Sequence, residues 1–490
     1  MAKRPNVLFL FSDQHRADGF GHAGDPVLQT PHFDRLAEDG VRFTNAYTTC
    51  PVCVPARASM FTATYPHNTG VLDNRAYLPE DHQTWFEELR NRGYYTALVG
   101  EAHQRRPAHY RENEESYMPA LGFEYIHEIG GDWNECYHES YLTDEWQQKG
   151  LYDVFKEDLQ DRMDVAESDS AREAVDKATW ASPLSVEDHM DSYVGRQATQ
   201  FLESYDREDP FCLYVGFSGP HGPMDPPGEY AEMYDPADMP APMPEGGHDE
   251  WVSPAAAAYL DSLGWAPEYW TEQMAREYRA AYYGKISLID HWVGEIIGAL
   301  GDRGELENTL VMYSADHGEF AGDRGRFGKT TFHEQSAQIP FLVRWPTELA
   351  TGATCDAPVE LIDIGGTAVH AAGGDIESED PTSEIFGFGR SVLTAARTPG
   401  DPEAAPREAA HSVHDTRTMI RTRQYKYAID GSGHGYLLYD LSADPNEQRN
   451  LVGHPDYAGI EREHQDRLLG FLQDTGTRYT RSEGHYGVSS

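Results

Sequence analysis

Residues 49–70 read TCPVCVPARASMFTATYPHNTG, and within them the order Cys53, Pro55, Arg57 predicts the start of a helix. Proline is tolerated in the first helical turn, because its missing N–H has no helical partner there. Cys53 would then lie at the helix N-terminus, whose orphan N–H groups and macrodipole favour an anion. Arg57 would lie one turn further along and face the same way. This segment therefore offers a sulfur side chain, a positive dipole end and a guanidinium to a bound oxyanion.

Working outward, a compact apolar run over residues 5–12 leads directly into Asp13 and Gln14. Buried parallel strands have this composition, and ligands gather at the carboxyl ends of such strands. Asp13 is therefore placed as a metal ligand, with Gln14 as a possible second one. Taken alone, Asp13 is equally consistent with a cap on the following turn.

Further strands alternate with helices along the chain, and the polar motifs fall at strand ends. This order predicts an α/β fold in which a parallel sheet carries helices on both faces. Beyond it, residues 419–429 and 436–440 read as antiparallel strands. Residues 103–179 show little periodicity and read as an insertion bordering the site. Residues 375–409 are rich in Pro, Gly and acids and read as a linker.

The Cys53 segment resembles the signature of the type I sulfatases, Cys-x-Pro-x-Arg followed by a Thr-Gly-basic ending. Ala63 and Thr64 stand where that family usually has Gly and then Arg or Lys. A second signature of the family is similar to residues 315–329, which contain Asp-His-Gly, a Gly-rich loop and a lysine. A Pro-His-x-Pro loop at residues 220–223 also resembles the family pattern. The resemblance covers nearly the whole chain.

The resemblance implies that Cys53 is oxidised to formylglycine by a formylglycine-generating enzyme. It also implies that one divalent cation is held by Asp13, Gln14, Cys53, Asp316 and His317. In this interpretation the charge that develops on the ester is spread by Arg57, His103 and Lys329, and His221 protonates the leaving alcohol. The family favours Ca²⁺ or Mg²⁺. An imidazole and an amide ligand suit Mn²⁺, Mg²⁺ or Zn²⁺, so Mn²⁺ stays possible.

One position departs from the family pattern most seriously. The predicted strand at residues 94–99 ends in Gly100-Glu101-Ala102-His103, where the family typically has Gly-Lys-x-His. His103 matches, but Glu101 replaces a cation with an anion. Either Arg105 and Arg106 supply the missing charge, or Glu101 recognises a cationic group of the substrate. The sequence leaves both alternatives open.

The resemblance further implies the alkaline-phosphatase-like fold, with a mixed, mostly parallel sheet and a smaller C-terminal antiparallel sheet. We expect a catalytic domain at residues 1–375 and a smaller subdomain at residues 376–490 that packs on it. Three functions compete. Hydrolysis of small-molecule or carbohydrate sulfate esters is favoured. The alternatives are a phosphonate monoester or phosphodiester hydrolase of the same superfamily and a non-catalytic homologue, which the missing cations at Glu101 and Thr64 would suit.

The composition restricts the partners and the setting. There are 82 Asp and Glu against 39 Lys and Arg, a formal net charge of −43. Nucleic acid binding is excluded as a main function, because phosphate contacts need a basic surface. Self-repulsion of this size is screened only in concentrated salt, which predicts a cytoplasmic protein of a salt-accumulating halophile. No apolar run reaches membrane-spanning length. The five Cys give no disulfide framework, and the Cys50-x-x-Cys53 pair is only a weak redox or zinc signal.

Overall fold

A mixed sheet lies at the centre of the protein. The computed structural model describes residues 4–104, 116–131, 134–137, 139–166, 179–247, 251–254, 256–257, 260, 271–373 and 384–479. The described strands are β1 (Asn6–Asp13), β2 (Val41–Phe43), β3 (Ala46–Tyr47), β4 (Tyr95–Glu101), β5 (Tyr125–Ile129), β6 (Phe211–Pro220), β7 (Thr309–Ala315), β8 (Phe341–Arg344), β9 (Ala353–Cys355), β10 (Val359–Glu360), β11 (Glu384–Phe386), β12 (Gly389–Arg390), β13 (Ala409–His414), β14 (Arg417–Thr422), β15 (Tyr425–Ile429) and β16 (Gly435–Asp440).

The described α-helices are α1 (Pro31–Glu38), α2 (Cys53–Thr62), α3 (Pro66–Thr69), α4 (Trp85–Asn91), α5 (Met118–Ala120), α6 (Tyr141–Lys149), α7 (Tyr152–Ala166), α8 (Met190–Ser204), α9 (Glu272–Asp302), α10 (Glu334–Ala337), α11 (Asp363–Gly373), α12 (Leu393–Arg397) and α13 (Ala458–Tyr479). Among the described helices, none is both long and apolar enough to cross a membrane.

The main sheet has eight strands in the order β5-β4-β6-β1-β7-β8-β2-β9. The first five of these are parallel, and β8 runs antiparallel to both of its neighbours, β7 and β2. Because β4, β6, β1 and β7 are parallel neighbours, their carboxyl ends lie along one edge of the sheet. That edge collects the polar residues that follow these strands in the sequence.

Strand β1 shows why both faces of the sheet are covered. All eight of its residues are buried. Phe9 and Phe11 pack in the apolar core that includes residues of α2, α4 and α11. Leu8 and Leu10 pack in the core on the opposite face, with residues of α8 and α9. Successive side chains of a strand point to opposite faces, so a continuously apolar strand requires helices on both sides.

A second sheet of four strands, β13-β14-β15-β16, follows as an antiparallel meander. Helix α13 packs against it, and β13 contacts β3 and β10. The buried side chain of Lys426, in β15, joins this sheet to the segment that precedes α10. Its Nζ donates to the Phe332 carbonyl at 2.8 Å and pairs with Glu334 and Glu447. The predicted fold class, with its mostly parallel sheet and separate C-terminal antiparallel sheet, is confirmed.

Two sequence expectations about loops are wrong. Residues 103–179 are not simply an insertion, because β5 lies within them and forms the edge of the main sheet beside β4. Three of its five residues are half-buried, which explains the weak periodicity of an edge strand. The expected linker at 375–409 is ordered in its described part, where β11 and β12 pair and α12 follows.

Candidate active site

Three side chains meet at the carboxyl edge of the main sheet. Asp13 is the last residue of β1, Asp316 directly follows β7, and Cys53 is the first residue of α2. The Cys53 Sγ lies 3.6 Å from Asp13 Oδ1 and 3.1 Å from His317 Nε2. One ligand atom from each of Asp13, Cys53, Asp316 and His317 lies within 4.8 Å of the other three. Residues distant in sequence thus form one buried cluster, which we call the first cluster.

The Cys53 thiol is neutral in this setting. Burial and the charge of Asp13 raise its pKa well above the usual range, although Lys329 acts in the opposite direction. The Lys329 Nζ donates to the Sγ at 3.0 Å. Because the thiolate is the reactive form of cysteine, Cys53 is a weak nucleophile as a thiol. Cys50 is also a buried free thiol, but it lies outside the first cluster.

Arg57 is fully buried and holds the two carboxylates in place. Its Nε donates to Asp316 Oδ2 at 3.0 Å, and its Nη2 donates to Asp13 Oδ2 at 3.0 Å. Its Nη1 donates to the Glu101 carbonyl at 2.7 Å. The sequence predicted a guanidinium directed at a bound oxyanion. In the structure all three nitrogens donate to protein oxygens, so Arg57 holds the two carboxylates and the end of β4 in position.

The electrostatics of the first cluster favour a cation. Burial and the neighbouring Asp316 charge raise the pKa of Asp13. Burial would also raise the pKa of Asp316, but His317, Arg57 and Lys329 outweigh it and hold that pKa below its usual range. Burial lowers the pKa of His317 to about 4, so its imidazole is neutral, as a metal ligand must be.

The donor atoms of the first cluster fit a divalent cation. Asp13 Oδ1 lies 3.8 Å and Asp316 Oδ1 3.6 Å from His317 Nε2. Six ligands at about 2.1 Å from a cation are roughly 3 Å apart, so small side-chain movements would close the shell. Two carboxylates and one imidazole, with the Gln14 amide next to them, suit Mn²⁺ or Mg²⁺ better than a soft metal.

Gln14 is oriented by a residue that the sequence analysis missed. Its Nε2 donates to Glu319 Oε2, and its Oε1 accepts from Lys329 Nζ at 2.6 Å. The other Glu319 oxygen accepts from the backbone N–H of Gly328 at 2.6 Å. Glu319 therefore holds both the Gln14 amide and the loop that carries Lys329. The sequence signal that could have identified Glu319 is an acidic residue three positions after Asp316, between apolar neighbours.

Glu101 and His103 lie at the end of β4, on the other side of Asp13. The His103 Nδ1 is 3.4 Å from Glu101 Oε1 and 3.9 Å from Asp13 Oδ2. The second Glu101 oxygen accepts from Ser218 Oγ at 2.8 Å. The carboxylate is buried and its oxygen Oε2 lies 4.0 Å from Arg57 Nη2. Glu101 is thus part of the site, at the place where the resembling proteins have a lysine.

His221 follows β6 and borders the same region. Burial and the charge of Lys329 lower its pKa to about 3, so its ring is neutral. Its Nδ1 lies 2.7 Å from the Gly222 carbonyl, which leaves Nε2 as the nitrogen able to interact with a ligand. The buried Lys285 donates to the carbonyls of His221 and Pro223, at 2.9 and 3.0 Å, and so fixes this loop. The sequence analysis did not find Lys285 or Ser218.

The two departures at the end of α2 lie far from the site. Ala63 is the C-cap of this helix and adopts φ 51°, the left-handed conformation that glycine prefers. Thr64 is buried, and its hydroxyl bonds to that of Thr62 at 2.7 Å. Thr64 lies beyond the last residue of α2, which is itself roughly 14 Å along the helix from Cys53. Its missing cation therefore does not weaken the first cluster.

The structure brings nine of the predicted site residues into one region: Asp13, Gln14, Cys53, Arg57, His103, His221, Asp316, His317 and Lys329. Arg105 and Arg106, which the sequence offered as substitutes for the missing lysine, lie outside the described residues.

Known proteins are similar to this chain along nearly its whole length. A family model described as Sulfatase matches residues 5–374. The chain is 29% identical to an ulvan-active sulfatase of Formosa agariphila, over 99% of this chain and 84% of that protein. It is 27% identical to an arylsulfatase of Clostridium perfringens, over 93% of this chain and 91% of that protein. A phosphonate monoester hydrolase of Agrobacterium radiobacter has the same fold, with a TM-score of 0.77, 24% identity and 96% coverage of both chains.

Proposed function

The chain belongs to the sulfatase family, and from this premise we propose that it hydrolyses sulfate esters through a formylglycine made from Cys53 and with one divalent cation. The observation that carries the proposal is the meeting of Cys53 with Asp13, Asp316 and His317 at the start of α2. Chains related to this one along most of their length are named sulfatases.

The modification would correct the weakness of the thiol. When formed, the aldehyde of formylglycine takes up water, and its hydroxyls supply an oxygen nucleophile that a neutral thiol does not. A bound cation would polarise an oxygen of the ester and favour the ionised hydroxyl. Asp13, Gln14, Asp316 and His317 would hold that cation. We rank Ca²⁺ and Mg²⁺ first, with Mn²⁺ close behind.

The remaining residues would act on the ester itself. Lys329 lies 3.0 Å from the Cys53 Sγ, and its charge would stabilise the negative charge that develops there. Burial would lower the pKa of Lys329, but Cys53, Asp13 and Asp316 outweigh it and raise that pKa, so the side chain stays charged. His103 would bind an ester oxygen. His221 would donate a proton to the leaving alcohol, and an anionic ester beside it would raise its low pKa toward the range needed.

The experiment has two parts. Peptide mass analysis of native protein should show formylglycine at Cys53 and an unmodified thiol at Cys50, which lacks the Pro and Arg that the pattern requires. Cys53→Ala should abolish turnover, whereas the matched Cys50→Ala should retain it. An unmodified thiol at Cys53 in fully active native protein would rule out this nucleophile.

The second part compares an aryl sulfate, a phosphonate monoester and a phosphodiester side by side. The proposal expects the sulfate to have the highest kcat/KM. A higher value for either phosphorus ester would assign the chain to the alternative hydrolase activity. Turnover of none of the three by formylglycine-bearing, metal-loaded protein would indicate a non-catalytic homologue.

We also propose that the protein is cytoplasmic in a salt-accumulating halophile and requires molar salt, because its formal charge is −43. Salt at such concentrations shortens the range of surface repulsion to roughly 3 Å. The Tm should rise strongly between dilute buffer and molar KCl. An unchanged Tm would contradict this proposal. Division into a catalytic domain at 1–375 and a smaller subdomain at 376–490 likewise remains our proposal.

A further inference from the structure

A second set of ligand atoms lies on the other side of Asp13. One atom from each of Asp13, Glu101 and His103 lies within 4.8 Å of the other two. These three residues border a small cavity of about 30 Å³, which is also lined by Gly131, Asn134, Ser218 and His221. A space of this volume accommodates one water-sized occupant. We propose that this cavity binds a second divalent cation, held by Glu101, His103 and Asp13.

Asp13 is placed to serve both positions. Its Oδ1 faces the first cluster, 3.6 Å from Cys53 Sγ and 3.8 Å from His317 Nε2. Its Oδ2 accepts from Arg57 Nη2 at 3.0 Å and lies 3.9 Å from His103 Nδ1, at the border of the cavity. A carboxylate that presents one oxygen to each of two sites is the usual bridge in two-metal centres, whose ions are about 3.5–4 Å apart.

The Glu101 carboxylate is held in a fixed orientation. Ser218 Oγ donates to Glu101 Oε2 at 2.8 Å. The other oxygen, Oε1, lies 3.4 Å from His103 Nδ1. A Cβ on Gly131 would lie 2.5 Å from Oε1, so a residue larger than glycine there would displace the carboxylate. The hydrogen bond from Ser218 to Oε2 and the space that Gly131 provides beside Oε1 are outer contacts of the kind that orient a metal ligand.

The charges at this place also favour a cation. Three carboxylates (Asp13, Glu101 and Asp316) are buried together, and among the described residues Arg57 and Lys329 form ion pairs with them. Arg57 is 3.0 Å from Asp13 Oδ2 but 4.0 Å from Glu101 Oε2. A carboxylate with a divalent ion carries the same net charge, +1, as the lysine that resembling proteins have here. The second cation would thus restore the positive field that an anionic ester requires.

His221 also borders this cavity, and its ring is neutral. Its Nδ1 faces the Gly222 carbonyl at 2.7 Å, so Nε2 carries the lone pair. Imidazole, carboxylate, amide and hydroxyl groups around one cavity suit Mn²⁺, Zn²⁺ or Mg²⁺. This inference does not depend on the identity of the ester, because it concerns what the protein binds before any substrate arrives.

The test is the number of Mn²⁺ ions bound by the metal-free full-length chain, measured by equilibrium dialysis and elemental analysis. The wild type should bind two per chain, and electron paramagnetic resonance should show the exchange coupling of two bridged Mn²⁺ ions. Glu101→Gln should bind one ion and lose the coupling. His103→Gln should give the same result, which keeps the test valid if one of the two variants fails to fold.

The matched control is Glu135→Gln. Glu135 is buried in the same loop as Gly131, where it accepts from the Gly130 N–H and from Ser140 Oγ. This variant disturbs the wall of the cavity without removing a ligand, so it should still bind two ions. One ion in the wild type, two in folded Glu101→Gln, or one in the control would each overturn the proposal. None of these results bears on sulfate ester hydrolysis, which is measured separately.

Discussion

The two sides of Asp13 differ in how closely their residues follow the family pattern. On one side, which we call the β7 side, lie Gln14, Asp316, His317 and Lys329. Their identities follow the family pattern, and hydrogen bonds from Glu319 and Arg57 fix them. On the other, the β4 side, Glu101 replaces a lysine and a small cavity remains next to it. Because each half of the site is positioned by its own strand, the departure from the family pattern at Glu101 leaves the arrangement of Asp316, His317 and Lys329 intact.

The largest effect is expected on the β7 side. Asp316→Ala should reduce turnover to background, because it removes a carboxylate from the first cluster and leaves the buried Arg57 with one fewer acceptor. Metal bound by the first cluster should be lost with it. The measurement is metal content together with kcat/KM. Asp225→Asn is the control, since this buried carboxylate pairs with Lys285 outside both clusters and should leave the metal in place. The proposed cation beside Glu101 does not use Asp316, so it is retention of two ions per chain by Asp316→Ala that would contradict the assignment.

Lys329→Met should have the next largest effect. Removing one charged donor from beside the nucleophile typically lowers kcat by roughly 10²–10³-fold. The metal content should change little, because the carboxylates and His317 remain. Lys149→Met serves as the comparison, since Lys149 forms exposed ion pairs with Glu145 and Asp188 that contribute little. Equal kcat values for these two variants would place Lys329 outside the chemistry.

Glu319→Gln tests how the β7 side is held. A glutamine has nearly the same shape but presents an amide to Gln14, so the Gln14 amide would turn and its oxygen would leave the site. Changes to groups that orient metal ligands typically cost roughly 10–100-fold in metal affinity. Calorimetric titration with Mn²⁺ would measure this. An unchanged affinity at the first cluster would show that Glu319 supports only the loop at Gly328.

The smallest effect is expected from Glu101→Lys, which makes the β4 side resemble the family pattern. Lysine conserves the net charge of a glutamate with its proposed cation, so turnover should fall by about tenfold or less. The dependence of turnover on a second ion should disappear. Kinetics over a range of free Mn²⁺ concentrations would measure both. If Glu101→Lys lost as much activity as Glu101→Gln, charge would not be what Glu101 contributes.

Much of the arrangement is visible in the sequence. Apolar runs that end in Asp13 and just before Asp316 predict parallel strands with polar residues at one edge, and the structure places both aspartates there. The order Cys53, Pro55 and Arg57 predicts the helix that presents Cys53. These features are local, so a short window of sequence contains them.

The features that were missed depend on contacts between distant residues. Ser218 lies 117 positions from Glu101 and Glu319 lies 305 from Gln14, so no short window links either pair. Arg57 was correctly placed on its helix, but its burial between two carboxylates follows from the packing of three strands. Strand β5 was missed because an edge strand with half-buried residues has no continuous apolar run.

The buried Lys426 restricts how the four-stranded C-terminal sheet can be exchanged between related proteins. Its ammonium satisfies Glu334 and Glu447 and the carbonyl of Phe332, three residues after Lys329. Removing one partner of a buried ion pair typically costs about 3–5 kcal/mol, because the other charge is left without a counter-ion. A chimera that exchanged residues 384–479 for those of a relative would therefore have to inherit a cation at this position as well. The C-terminal sheet and the segment that follows Lys329 must therefore change together at this position.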